Sequence, residues 1–205
     1  APAAATIELP GDPRPHELRL TDVAIDAETA SLADRIEAKV RAGASYDGAE
    51  PGDITADISI TSPLMGPSVR GRARLARFPV ALLALPAEVT AQLGPELSLE
   101  AEALDGEDAR DTRVNWTLSA RGLSGSGALE VRPGEIAQVG QPATITLQDA
   151  GALLAALSPE IGASGGTLAL SVQDVRAPLP LDPAQLRVRA RADLTSLVLT
   201  PPIAP

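Results

Sequence analysis

Along most of this chain polar and apolar residues alternate with a period of two, the pattern of strands that turn one face to a core and the other to water. Asp53 to Thr61 sets Ile54, Ala56, Ile58 and Ile60 against Asp53, Thr55, Asp57 and Ser59. Val69 to Leu75 alternates again, with Arg70, Arg72 and Arg74 outward. Leu97 to Ala103 turns leucine and alanine inward and Glu96, Glu100 and Glu102 outward. Val114 to Ala120 lines up Val114, Trp116, Leu118 and Ala120, and Leu186 to Leu194 opposes Leu186, Val188, Ala190 and Ala192 to Arg187, Arg189 and Arg191. Leu18 to Ile25, Leu123 to Val131, Ala143 to Leu147, Thr167 to Val175 and a short Leu197 to Leu199 complete the predicted strands. Leu32 to Tyr46 fits two periods. Leu32, Ile36 and Val40 have helical spacing, yet Arg35, Glu37, Lys39 and Arg41 alternate with Ile36, Ala38, Val40 and Ala42. The sustained alternation, shared with its neighbours, predicts a strand.

The period changes in two places. Phe78 to Leu93 carries Leu82, Leu83, Val89 and Leu93 as a stripe, with Pro79 near a helix start and Gly94-Pro95 as a stop. Pro86 costs about 3 kcal/mol inside a helix and therefore predicts two short ones. Asp149 to Leu157 reads as another helix with Asp149 as N-cap. Turns are expected at Tyr46-Asp47-Gly48 through Pro51-Gly52, at Pro63 and Gly66-Pro67, and at Pro133-Gly134. Gly162 to Gly166 reads as a flexible connection.

Ala81 to Leu104 and Ala152 to Val175 match each other: Leu82 with Leu153, Leu97 with Leu168 and Leu99 with Leu170, each 71 residues apart. Val114 matches Leu186 after one inserted residue, and LRLTDVAI at Leu18 to Ile25 resembles the strands of both copies. Self-similarity of this kind predicts stacked modules. The expected fold is mostly β with short helices: antiparallel meanders repeated into an elongated, curved sheet with one short helix per repeat. The expected divisions are a linker or edge segment (1–17), repeat 1 (18–94), repeat 2 (95–166), a partial repeat 3 (167–200) and a proline-rich end (201–205).

Composition narrows the function. Hydrophobic residues are 44% but aromatics 1%, and alanine supplies much of the apolar total. A core built this way is thin, since each buried methylene contributes about 0.8 kcal/mol. It suits closely stacked layers, or a cavity filled by something else. A net charge of −10 argues against a nucleic-acid partner. The absence of cysteine excludes disulfides and thiolate chemistry. The chain reads as an internal piece of a longer protein, with any targeting or membrane segment outside it.

No catalytic motif emerges. Asp105, Glu107, Asp108 and Asp111 carry cation-binding oxygens but lack EF-hand spacing and read as a solvated acidic turn. Asn115-Trp116-Thr117 fits a glycosylation sequon but lies within a strand. Gly122 to Gly127, GLSGSG, lacks the final glycine and the following helix of a nucleophile elbow, and His16 is the only imidazole. Small residues at a sheet bend or bulge explain those glycines better. The arginine rows at Arg70, Arg72, Arg74 and at Arg187, Arg189, Arg191 offer grips for phosphate, but read more simply as solvated strand faces, the first of them paired with the neighbouring acidic strand. No enzyme activity, cofactor or metal is expected.

The alternating strands, segments such as GPSVRGRARL and GLSGSGALEV, and the repeat from Leu18 to Leu199 resemble the AsmA/TamB-like proteins of the bacterial envelope. The resemblance implies a curved sheet with an apolar inner face, in a periplasmic or envelope protein that moves or shields lipid. The residues expected to line the groove are Ile36, Val40, Ile54, Ile58, Val69, Leu75, Leu97, Leu99, Val114, Trp116 and Leu118. The expected partners are lipid and flanking repeats of the same chain, with membrane reached only through segments outside this piece. The helical inserts ALLALPAEVTAQL and ALLAALSPEI add to the plain meander and carry a second reading: a structural spacer whose helices fill the groove.

Overall fold

Alternating residues become strands here because each strand finds a neighbour for its backbone groups and a shared apolar face for its side chains. The computed structural model describes residues 3–9, 12–29, 31, 35–47, 51–61, 68–83, 87–106, 108, 111–157, 162–180 and 183–200. In chain order these form β1 (Ala3–Leu9), β2 (Asp12–Thr29), β3 (Arg35–Tyr46), β4 (Gly52–Thr61) and β5 (Ser68–Pro79). A 3-10 turn (Val80–Leu83) and helix α1 (Ala87–Leu93) follow, then β6 (Glu96–Asp105), β7 (Thr112–Ala120), β8 (Leu123–Arg132), β9 (Glu135–Gln138) and β10 (Ala143–Gln148). Helix α2 (Ala150–Leu157), β11 (Gly162–Pro178), a second 3-10 turn (Pro183–Gln185) and β12 (Arg187–Thr200) complete the described chain.

All the described strands join one antiparallel sheet in sequence order. β9 and β10 both pair with β8 and β11, so together they fill one position and the sheet is eleven positions wide. The mostly β meander expected from the alternation is therefore the fold. Leu97 and Leu168, matched in sequence, fall in one lateral row: Leu97–Ala120–Leu123–Leu147–Leu168. Leu99 and Leu170 do the same, through Leu118, Gly125 and Ile145. The three similar segments lie in β2, β6 and β11, which occupy the second, sixth and tenth positions.

Some local expectations hold and others need correction. The ambiguous segment is a strand, β3, as its period of two predicted; Leu32 lies outside the described residues. The first fifteen residues contain the edge strand β1, and β2 already begins at Asp12. Gly162 to Gly166 is no loop. It opens β11, with Gly165 and Gly166 at φ 63° and 83° opposite a matching irregularity at Ser196, φ 56°. Leu197 to Leu199 continues β12 without a break. β9 was not anticipated, because four residues are too few to display a period. Pro63, Gly66, Pro67, Pro86 and Glu107 lie outside the described residues.

β5 ends under the first helical insert. Arg77 takes φ 52° in a bulge between Leu75 and Phe78, which bends the strand and returns Phe78 to the face of Leu97. Val80, Leu93 and Leu97 are buried together, with Phe78, Val89, Leu99, Leu118, Ala120 and Leu123 packed around them. Each such side chain stabilises by roughly 1.5–3 kcal/mol. Gly94, at φ 76°, ends α1 and donates its N–H to the Thr90 carbonyl. α2 lies against β11 and β12 and touches α1.

Candidate functional site: an apolar trough across the sheet

Ladder partners point to the same face, and so do residues two apart on a strand. Register therefore decides whether the predicted groove residues meet. They do. Ile36, Ile60 and Val69 form one row across β3, β4 and β5. Ala38, Ile58, Gly71, Ala103 and Val114 form the next. Val40, Ala56, Ala73, Ala101 and Trp116 form the third, and Ile54, Leu75, Leu99 and Leu118 the fourth. Leu97 lies one row further on. All eleven candidates occupy one face.

The third row carries three adjacent alanines. Ala56, Ala73 and Ala101 floor it, between Val40 at one end and Trp116 at the other. Leu75 and Leu99 rise on one side. β3 to β7 spans about 19 Å at ~4.8 Å per strand. Ala73, in the middle of the sheet, is exposed, and Val40, Ala56, Ala101 and Trp116 are only half-buried. The floor alanines were not singled out in the sequence, although they occupy the correct phase of the alternation; small size there means depth.

The helical inserts cover only part of this face. Leu97 is 8% exposed, and Leu97, Leu99 and Leu118 belong to the cluster beneath α1. Ile36, Val40, Ile54, Ile58, Val69, Leu75, Val114 and Trp116 stand outside that cluster and are half-buried. The matched leucines divide similarly: Leu153 is half-buried and Leu154 exposed, while the side chains of Leu82 and Leu83 lie outside the described ones.

Trp116 explains the glycines of β8. A Cβ on Gly127 would lie 3.0 Å from the Trp116 ring and 2.5 Å from the Ala143 Cβ, and one on Gly125 3.3 Å from the ring. The β7–β8 ladder runs through them without a register shift. They are a seat for an indole, not the bend or bulge expected from sequence.

On the opposite face the strands exchange charge. One row reads Asp26, Lys39, Asp57, Arg72, Glu102, alternating in sign across five strands. Arg72 meets Glu102 at 2.7 Å and Arg74 meets Glu100 at 3.2 Å. Arg70 pairs with Asp105, which also accepts from the Ser68 hydroxyl at 2.7 Å. These three arginines of β5 are thus tied to β6, and not to the acidic strand Asp53 to Thr61 that the sequence set opposite them. On β12, Arg191 meets Asp193 at 2.9 Å, while Arg189 stands opposite Asp174 and Arg187 opposite Arg176.

Hydrogen bonds from Arg70, then from Ser68, hold the Asp105 carboxyl down at about 2, against 3.8 for a free aspartate. A depressed folded-state value means that this pair stabilises above about pH 4 and ceases to do so as pH falls through 2. A carbon-13 NMR titration of the Asp105 carboxyl should show its midpoint near 2, and Arg70→Gln should move it up toward 3.8. A midpoint near 4 in the unaltered protein would refute the pairing.

The acidic turn is also engaged. Asp111 is buried and lies 3.6 Å from Arg132, which holds the still more buried Glu130. Among the described residues no three acidic or imidazole groups gather as a metal site. Ser124 and Ser126 lie on β8 and His16 on β2, six positions apart in the sheet. Among the described residues, no helix is long and apolar enough to cross a membrane. Comparison with protein families, with curated proteins and with solved structures found no match.

Proposed function

We propose that this chain is a non-catalytic segment of a larger envelope protein of the AsmA/TamB-like kind, and that its apolar sheet face shields or passes lipid acyl chains. The observation that carries the reading is the exposed Ala73 at the floor of a half-buried apolar row in the middle of the sheet. An extended acyl chain laid along Val40, Ala56, Ala73, Ala101 and Trp116 covers apolar surface at about 0.8 kcal/mol per methylene withdrawn from water. Head groups stay in solvent, and the alanines supply depth without contesting the space. Flanking repeats of the same chain are the partners that extend the row, in the periplasm or at the envelope.

The spacer reading draws on a specific feature, the cover that α1 provides over Leu97, Leu99 and Leu118. One experiment separates the two. Ile58 lies between the small residues Ala38 and Gly71 in its row and outside the α1 cluster. Ile58→Glu and Val40→Glu should therefore keep the sheet, checked by circular dichroism, while each weakens binding of a fluorescent fatty acid by about tenfold or more, given the cost of a carboxylate against hydrocarbon. Native mass spectrometry of the unaltered protein should recover bound lipid. Failure to recover lipid, with fatty-acid binding equal in wild type and both variants, would leave the spacer.

A further inference from the structure

The charged face has its own irregularity, one row from the alternating ladder. There the order across β2 to β6 is Ala24, Arg41, Thr55, Arg74, Glu100. Alternation of sign calls for a carboxylate at Thr55 and another at Ala24. Neither is present. Arg74 is satisfied from β6 by Glu100 at 3.2 Å. Neither of Arg41's two neighbours in the row, Ala24 and Thr55, is a carboxylate, and no ion pair joins it among the described residues.

A cleft of about 210 Å³ opens at this position, with Lys39, Arg41, Arg72 and Arg74 in its walls and Asp57 as the one carboxylate among them. Thr55 also lines it, on the strand between those of Arg41 and Arg74. Those strands are two positions apart, about 9.6 Å. The two guanidinium groups and the threonine hydroxyl between them project from the same face of the sheet. Guanidinium suits an oxyanion because its planar donors match phosphate oxygens in pairs. That such a cation-rich cleft occurs on a chain of net charge −10 makes it a local departure from the overall field.

We infer that the Arg41–Thr55–Arg74 cleft is a binding site for a phosphate-type oxyanion, standing where the charge ladder omits its carboxylate. The site is on the face opposite the apolar trough. A lipid seated in that trough has the sheet between its chain and this cleft, so the inference is independent of the acyl-chain reading. The anion arrives from solution, as free phosphate or a phosphomonoester, or on the head group of a lipid surface facing the charged side.

The test follows the arginine side-chain Nε–H signals by NMR while inorganic phosphate, glycerol 3-phosphate or phosphatidylglycerol vesicles are added to the whole chain. Arg41 and Arg74 should shift together and saturate with inorganic phosphate. Saturation with phosphate and glycerol phosphate but not with vesicles assigns a soluble ligand, and a further gain in affinity on vesicles assigns a head group. Thr55→Asp restores the missing carboxylate and should weaken phosphate binding by about tenfold or more, as should Arg41→Gln through loss of a charge-assisted donor. Arg41 and Thr55 are exposed, so both variants should retain the wild-type fold by circular dichroism. Shifts at Arg187 and Arg189 equal to those at Arg41, absence of saturation, or unchanged binding in Thr55→Asp would each overturn the site.

Discussion

Arg132→Ala is expected to lower the unfolding free energy, because it removes the cation from a nearly fully buried carboxylate. Glu130 is 1% exposed, the most buried charged side chain described, and Arg132 holds it while reaching Asp111 at 3.6 Å and Glu135 at 4.0 Å. The change removes the Arg132 guanidinium from both Glu130 and Asp111, the latter 6% exposed. The guanidinium is itself held above its ordinary value, chiefly by the hydrogen bond to Glu130 and then by that carboxylate's charge. Urea denaturation measures the loss, and its pH dependence carries the diagnosis. A buried carboxylate deprived of its cation has a folded-state pKa above the unfolded one. The folded state of the variant then binds more protons, so its stability should rise as pH falls toward the raised value. Glu130→Gln combined with Arg132→Ala should cost less than the two single changes added together. An unchanged urea midpoint at every pH would show that Glu130 relies on other groups.

The second large effect is expected at the seat of the indole. Gly127→Leu should destabilise by about 2–3 kcal/mol, the upper part of the range for overpacking. Even the first carbon of the new side chain falls 2.5 Å from the Ala143 Cβ and 3.0 Å from the Trp116 ring. Ala143 moves only with its strand, so strain is relieved mainly by displacing Trp116 toward solvent. Trp116 is the sole tryptophan, and its emission should shift to the red in native buffer as well as report the lower denaturation midpoint. Because Trp116 closes one end of the trough, the same variant should weaken fatty-acid binding on the acyl-chain reading. An unshifted emission with unchanged stability would mean that the glycines do not seat the ring.

The two predictions concern features of unequal visibility. The strands were legible because their period of two is long and regular; β4 and β7 declare their apolar sides residue by residue. β3 was legible only because its alternation outlasted three residues at helical spacing. The helices were betrayed by proline and glycine punctuation. By contrast, Glu130 sits in the same polar phase as the exposed Ser124 and Ser126 of β8, and nothing local marks it for burial. The cluster around it assembles from the β7–β8–β9 corner, and β9 was too short to foresee. Gly162 to Gly166 looked like a loop because glycine tolerates any conformation, but β12 offered it a partner along its whole length.

From the amino acids alone came the class of fold, the face to which each strand's residues belong, and the 71-residue match of the leucine-bearing strands. Each is a local property, since the pleat fixes side-chain direction within one strand. Lateral register, and with it the rows, was decided only when strands paired, because a slip of one residue would have turned every side chain to the other face. The alanine floor ending at Trp116, the partial cover by α1, and the placing of Arg41 beside Thr55 are products of that registration. They depend on which residues become neighbours across about 4.8 Å of sheet, a relation that no single strand contains.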